Sequence, residues 1–171
     1  KLKIYFDKYR KQGKLPPELQ GKVEGKLYDN LEKMDTWRNA RKGISWTDEE
    51  GNTLFGAIDE CLIDKDNFIV VDFKTYGGSK VEDDKINFYQ NQLDCYALLF
   101  EKNKLKHPGY AYLIFFMPLE VKENGKIDFK IEVKKVKVDS KRALKNFKEA
   151  IKLIKSERPK NNSECKFCSW A

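Results

Sequence analysis

Residues Phe55 to Phe100 read FGAIDECLIDKDNFIVVDFKTYGGSKVEDDKINFYQNQLDCYALLF, and the order of textures within them decides the fold. An apolar run closes at Ile63, the polar tetrad Asp64–Asn67 makes a turn, and Phe68–Thr75 follows, rich in β-branched residues. This is the pattern of two strands joined by a tight turn. Gly77-Gly78 then opens a polar loop. From Asp83 to about Lys102 the period changes, with Ile86, Leu93, Ala97 and Phe100 forming the apolar stripe of a long helix. Strands followed by a helix of this length predict a sheet with helices packed on it.

The flanking sequence extends the pattern. Downstream, Tyr110–Met117 is an apolar strand bounded by Pro108 and Pro118, and 126–138 (KIDFKIEVKKVKV) alternates as a strand with one wet face. Asp139-Ser140 caps a final helix reaching about Ser156. Upstream, residues 1–13 are helical, with Leu2, Tyr5, Phe6 and Tyr9 on one side and Gly13 as the stop. Pro16-Pro17 marks a loop, and a second amphipathic helix is expected over 25–41 on Leu27, Leu31, Met34 and Trp37. Gly43–Thr47, a DEEGN turn and Thr53–Ile63 make a hairpin. The expected class is α/β (α+β): one domain over residues 1–171, a central mixed β-sheet flanked by helices, ending in an irregular tail at 158–171 with two cysteines.

Composition narrows the function classes. The chain has 171 residues, 40 % of them apolar and 13 % aromatic, enough for a core without disulfides. Its longest strongly apolar stretch, Tyr110–Leu119, is about half a membrane span. With no signal-peptide pattern, a cytoplasmic protein is expected. The net charge of +7 is uneven: residues 101–171 carry 18 basic and 9 acidic side chains, whereas residues 1–100 carry 16 and 18. Acids in one half and a basic flank suit a protein that holds cations while drawing in a polyanion.

Strand alternation puts Asp72 and Lys74 on one face, about 7 Å apart, with Phe73 pointing the other way. Asp59 is expected on the preceding strand, where its carboxylate converges with that of Asp72. Both lie inside apolar runs, and two buried carboxylates need a cation. Oxygen ligands suit Mg²⁺ or Mn²⁺, and the backbone C=O of Phe73 is a third candidate oxygen. Lys74 then stands where it can position water and offset charge growing on a phosphate. Gln92 and Tyr96, four residues apart on the helix, share one face and can hold the lysine or a nucleic-acid backbone.

The ordered set Gly56-x-x-Asp59, Asp72-x-Lys74 and Gln92-x-x-x-Tyr96 resembles the PD-(D/E)XK nuclease superfamily, in the branch of RecB-type nuclease domains and CRISPR-associated four-cysteine exonucleases. The resemblance implies a restriction-endonuclease-like sheet and a metal-dependent enzyme hydrolysing DNA phosphodiester bonds, of exonuclease type. Its substrate would be single-stranded DNA or duplex ends, with protein partners in repair, recombination or defence. In that branch Asp59, Asp72, Lys74, Gln92 and Tyr96 match catalytic motif positions, and Asp59 and Asp72 match metal ligands. The branch carries an early His or acid on its first helix. That position falls at or just before Lys1, which implies a missing N-terminal segment and leaves Asp7 as the fallback ligand. A catalytically silent nucleic-acid-binding module on the same fold is the alternative.

Cys165 and Cys168 form half of a metal site, which in the branch is completed by early cysteines around an iron–sulfur cluster; zinc is the other metal such a pair takes. Cys61 and Cys95, in apolar runs, are expected in the core, as are Trp37 and Trp46. His107 is expected at the surface, and Trp170 is expected to pin the tail. Lys141, Lys145, Lys148, Lys152 and Lys155 form one helical stripe, so Lys145, Lys148 and Lys152 are candidate phosphate contacts. The same spacing also fits the solvated side of a helix whose other side is Leu144, Phe147, Ile151 and Ile154.

Overall fold

A computed structural model describes residues 2–162, 164 and 165. In chain order its elements are α1 (Leu2–Lys11), β1 (Lys26–Leu27), α2 (Leu31–Trp37), β2 (Ile44–Thr47), β3 (Thr53–Gly56), β4 (Glu60–Asp64), β5 (Asn67–Thr75), α3 (Asp83–Lys102), β6 (Tyr110–Val121), β7 (Ile127–Lys137) and α4 (Ser140–Lys155). Five strands form one mixed sheet in the order β1-β4-β5-β6-β7, and β2 pairs with β3 apart from it. Among the described residues only β5 and β6 run parallel, because α3 carries the chain back between them.

Strand β5 is buried on both faces, as its β-branched run requires. Val70 packs with Leu93, Ala97, Phe100 and Phe115 on the α3 side. Ile69 and Val71 pack with Phe6, Leu62 and Ile114 on the α1 side. The mixed sheet flanked by helices is the expected class.

Four expectations need correction. The run 53–63 is not one strand: it breaks at Ala57–Asp59, where the chain leaves the small hairpin for the main sheet and Ile58 N–H bonds the Trp37 carbonyl. The helix expected over 25–41 is only Leu31–Trp37, started by Asn30, whose side chain accepts from Lys33 N–H. Leu27 belongs instead to β1, paired with Leu62. Strand β6 runs on past Pro118, which has no N–H for the ladder, by shifting register between Pro118 and Glu120. On α4, Phe147 and Ala143 are buried but Ile154 is 77 % exposed, because the helix end projects beyond the core.

Trp37 and Cys61 are buried, and Trp46 and Cys95 are half-buried. His107 is tied in rather than free at the surface: Nε2 lies 2.9 Å from Glu101 and Nδ1 accepts from Gly109 N–H. Cys168 and Trp170 lie outside the described residues. Among the described residues, no helix is long and apolar enough to cross a membrane.

Candidate active site

Asp72 sits in the middle of the sheet on β5 and is 2 % exposed. Its neighbour two residues on, Lys74, brings Nζ to 2.6 Å from Asp72 Oδ2. That approach is an ion-pair contact without hydrogen-bond alignment, so the buried Oδ2 has no directed donor. Burial raises the Asp72 carboxyl above its ordinary pKa, with Lys74 opposing the shift and the nearby Asp59 charge adding to it.

Asp59 lies in the bend just ahead of β4, not on the strand. Its Oδ2 accepts from Phe73 N–H at 3.0 Å, which fastens it to the residue between Asp72 and Lys74. Asp59 is thus held beside β5 from the bend rather than from a paired strand, close enough for its charge to act on Asp72. Lys3 Nζ stands 3.5 Å from Asp59 Oδ1.

From Lys74 a one-way series of hydrogen bonds crosses α3. Lys74 Nζ donates to Gln92 Oε1 at 3.0 Å, Gln92 Nε2 donates to Tyr96 OH at 3.0 Å, and Tyr96 OH donates to the Ala57 carbonyl at 2.9 Å. The aromatic ring of Tyr89 lies 4.3 Å from the same ammonium. Gln92 holds the lysine, while the Tyr96 hydroxyl is spent on the loop that carries Asp59. Burial, then the Asp72 charge, pushes the Tyr96 phenol up to about 12, so it remains a donor. Gly56 makes this closeness possible: a Cβ there would lie 2.9 Å from Tyr96 Cε1 and 3.1 Å from Leu99 Cδ1.

Behind Asp59 lies a buried ionic cluster that the sequence does not announce. Glu60 is fully buried and accepts from Arg10 Nη2 and Arg38 Nη2, each at 2.5 Å, and donation from Cys61 N–H at 2.8 Å completes it. Arg38 also donates to both oxygens of Asp7, at 2.9 and 3.0 Å, and through Nε to the Asp59 carbonyl at 3.1 Å. Asp7 is thus committed to Arg38 and Arg10. Two cations and two carboxylates compensate one another and fix the main chain at Asp59. The available signal was Glu60 itself, a charge inside the apolar run Ile58–Ile63.

Another buried carboxylate, Asp94, clamps α3 to α4. It accepts from Gln90, Asp139 N–H and Arg142 at distances between 2.5 and 2.9 Å.

The lysine stripe on α4 faces company. Lys155 pairs with Glu50 at 2.8 Å, Lys145 lies 3.9 Å from Glu149, and Lys148 and Lys152 line a groove with Asp48 and Glu50. On β7, Lys130 and Lys134 both pair with Glu132.

Among the described residues, no three His, Cys, Asp or Glu side chains gather as a ready metal site. The donor chemistry nonetheless fits a hard divalent ion. Asp72 Oδ2 is buried without a directed donor, Asp59 lies beside it, and Mg²⁺ keeps several waters when bound by one or two carboxylates.

A family model described as PD-(D/E)XK nuclease superfamily matches residues 4–171. A solved structure described as "Crystal structure of SSO0001" is similar at 19 % identity and a TM-score of 0.44, over 73 % of this chain and 54 % of its own. The chain thus spans about half the length of that relative. No curated protein matches.

Proposed function

Because the chain belongs to the PD-(D/E)XK nuclease superfamily, whose members are in general nucleases acting on nucleic acid, we propose that it hydrolyses DNA phosphodiester bonds, as an exonuclease dependent on Mg²⁺ or Mn²⁺. The observation that carries this reading is the joining of Asp59, Asp72, Lys74, Gln92 and Tyr96 into one hydrogen-bonded and ion-paired unit. The order of the motifs supports the RecB-like, four-cysteine exonuclease branch.

Asp59 and Asp72 would hold the ion, with the Phe73 carbonyl as a further oxygen ligand. A bound divalent ion supplies Lewis-acid polarisation of the phosphate and a more acidic water. Lys74, oriented by Gln92, offsets charge that grows on the phosphate oxygens in the transition state. Losing one such stabiliser costs about 10²–10³ in turnover. Gln92 keeps the ammonium over the site, and Tyr96 is a positioning residue that fixes Gln92 and the 57–59 loop together. Lys145, Lys148 and Lys152 are candidate contacts for the backbone at a distance from the chemistry.

One observation favours the second reading, a silent binding module: Lys3 already stands beside Asp59 as Lys74 does beside Asp72. The two readings separate in one assay. Linear duplex, linear single-stranded and circular single-stranded DNA, and RNA of the same sequence, are incubated with Mg²⁺, Mn²⁺ or EDTA. The nuclease reading expects loss of linear DNA only where metal is present, with circles spared. Retention of every substrate, with DNA still bound, establishes the silent module.

A further inference from the structure

Phe88 is the largest unexplained feature near the site. It is 76 % exposed on the second turn of α3, although the helix has a well-filled apolar stripe on its other side. Scattered exposed apolar residues are ordinary, so exposure alone says little. Position says more. Phe88 precedes Gln92 by four residues, which places the two side chains about 5–6 Å apart at Cβ on one helix face. Gln92 is the residue that holds Lys74, and Tyr89, next to Phe88, presents its ring to the same ammonium at 4.3 Å. The phenyl ring of Phe88 therefore stands one helical turn before the residue that holds Lys74, on the same helix face. Lys85 Nζ, which also lies 3.5 Å from Asp84 Oδ2, stands 5.6 Å from its centroid.

An exposed aromatic ring flanked by an ammonium, one helical turn from a phosphate-handling group, is what a single-stranded polynucleotide uses: bases stack on the ring while cations meet the backbone. A base inside a duplex is already stacked and paired, and has no free face to offer. We propose that Phe88 is a stacking platform for the nucleobase beside the phosphate at the active site. This deepens the nuclease reading and rests on it for the position of the phosphate.

Binding is measured in EDTA, where no cleavage competes, with fluorescent oligothymidylate and an abasic strand of equal length and charge. The wild-type chain is expected to prefer the base-bearing strand by about 5- to 150-fold, the range for one stacked base. Phe88→Ala should reduce that preference to within about threefold while binding the abasic strand as wild type does, and Phe88→Trp should keep it. A wild-type protein without the preference overturns the proposal. So does a Phe88→Ala variant that keeps it, or one that weakens on both strands alike. Wild-type hydrolysis of bis(4-nitrophenyl) phosphate, a diester without a base, reports the nuclease reading separately.

Discussion

Replacing Glu60 by Gln changes one atom type in a side chain that is fully buried, and the structure makes the consequence large. The carboxylate accepts from two guanidinium groups at 2.5 Å and from Cys61 N–H at 2.8 Å. Gln keeps the shape but removes the charge, leaving Arg10 and Arg38 with Asp7 as their shared carboxylate. Burial already works against the Arg38 charge, which Glu60 and Asp7 together outweigh. Breaking a buried ion pair on one side costs about 3–5 kcal/mol. In a chain of this size that is a fall in Tm of about 6–20 °C. Adding Arg10→Met removes the surplus cation, so the double variant should recover at least about 1 kcal/mol of the loss. Urea denaturation of wild type, both single variants and the double variant gives the coupling directly. Function should suffer too, since Arg38 Nε holds the Asp59 carbonyl and small displacements of a reacting centre cost up to about 10²-fold in rate. A Glu60→Gln variant within about 1 kcal/mol of wild type, or a strictly additive double variant, refutes the argument that this cluster is a compensated buried unit.

Other expectations follow from individual interactions. Gly56→Ala drives a Cβ against the Tyr96 ring and should cost about 1–3 kcal/mol in denaturation while lowering cleavage, because Tyr96 ties Gln92 to the Asp59 loop. Asp94→Ala strips the acceptor from Asp139 N–H and Gln90 and from the half-exposed Arg142, and should lose about 1–3 kcal/mol in the same measurement. Reversing Lys145, Lys148 and Lys152 to Glu should reduce the slope of log K for DNA against log salt by about 0.7–0.9 for each phosphate no longer neutralised. An unchanged slope means that the stripe serves only the acidic turn it faces.

The stretch 55–100 is legible because its chemistry coincides with its periodicity. Strand alternation alone sets Asp72 and Lys74 on the α3 face and Phe73 on the other, and the helical period sets Gln92 and Tyr96 in line. What escapes is set by contacts between distant segments. Arg10 sits on a lysine-rich helix and Arg38 follows a short one, and nothing local distinguishes them from solvated cations until Glu60 meets both. The break at Ala57–Asp59 is equally hidden, since the groups that hold it are distant in the chain: the Trp37 carbonyl accepts from Ile58 N–H, and Tyr96 OH donates to the Ala57 carbonyl. The lysine stripe follows from helical spacing, but spacing along one helix says nothing of the acidic turn across from it.

The decisive comparison is the cleavage of single-stranded DNA in Mg²⁺ by wild type, Asp59→Ala and Asp72→Ala, with DNA binding by all three measured in EDTA. Wild type should cleave, both variants should lose cleavage entirely, and binding should stay within a few-fold, because on the proposed reading these carboxylates would serve the metal and not the polyanion. Cleavage by Asp59→Ala at the wild-type rate would contradict the assignment of the site.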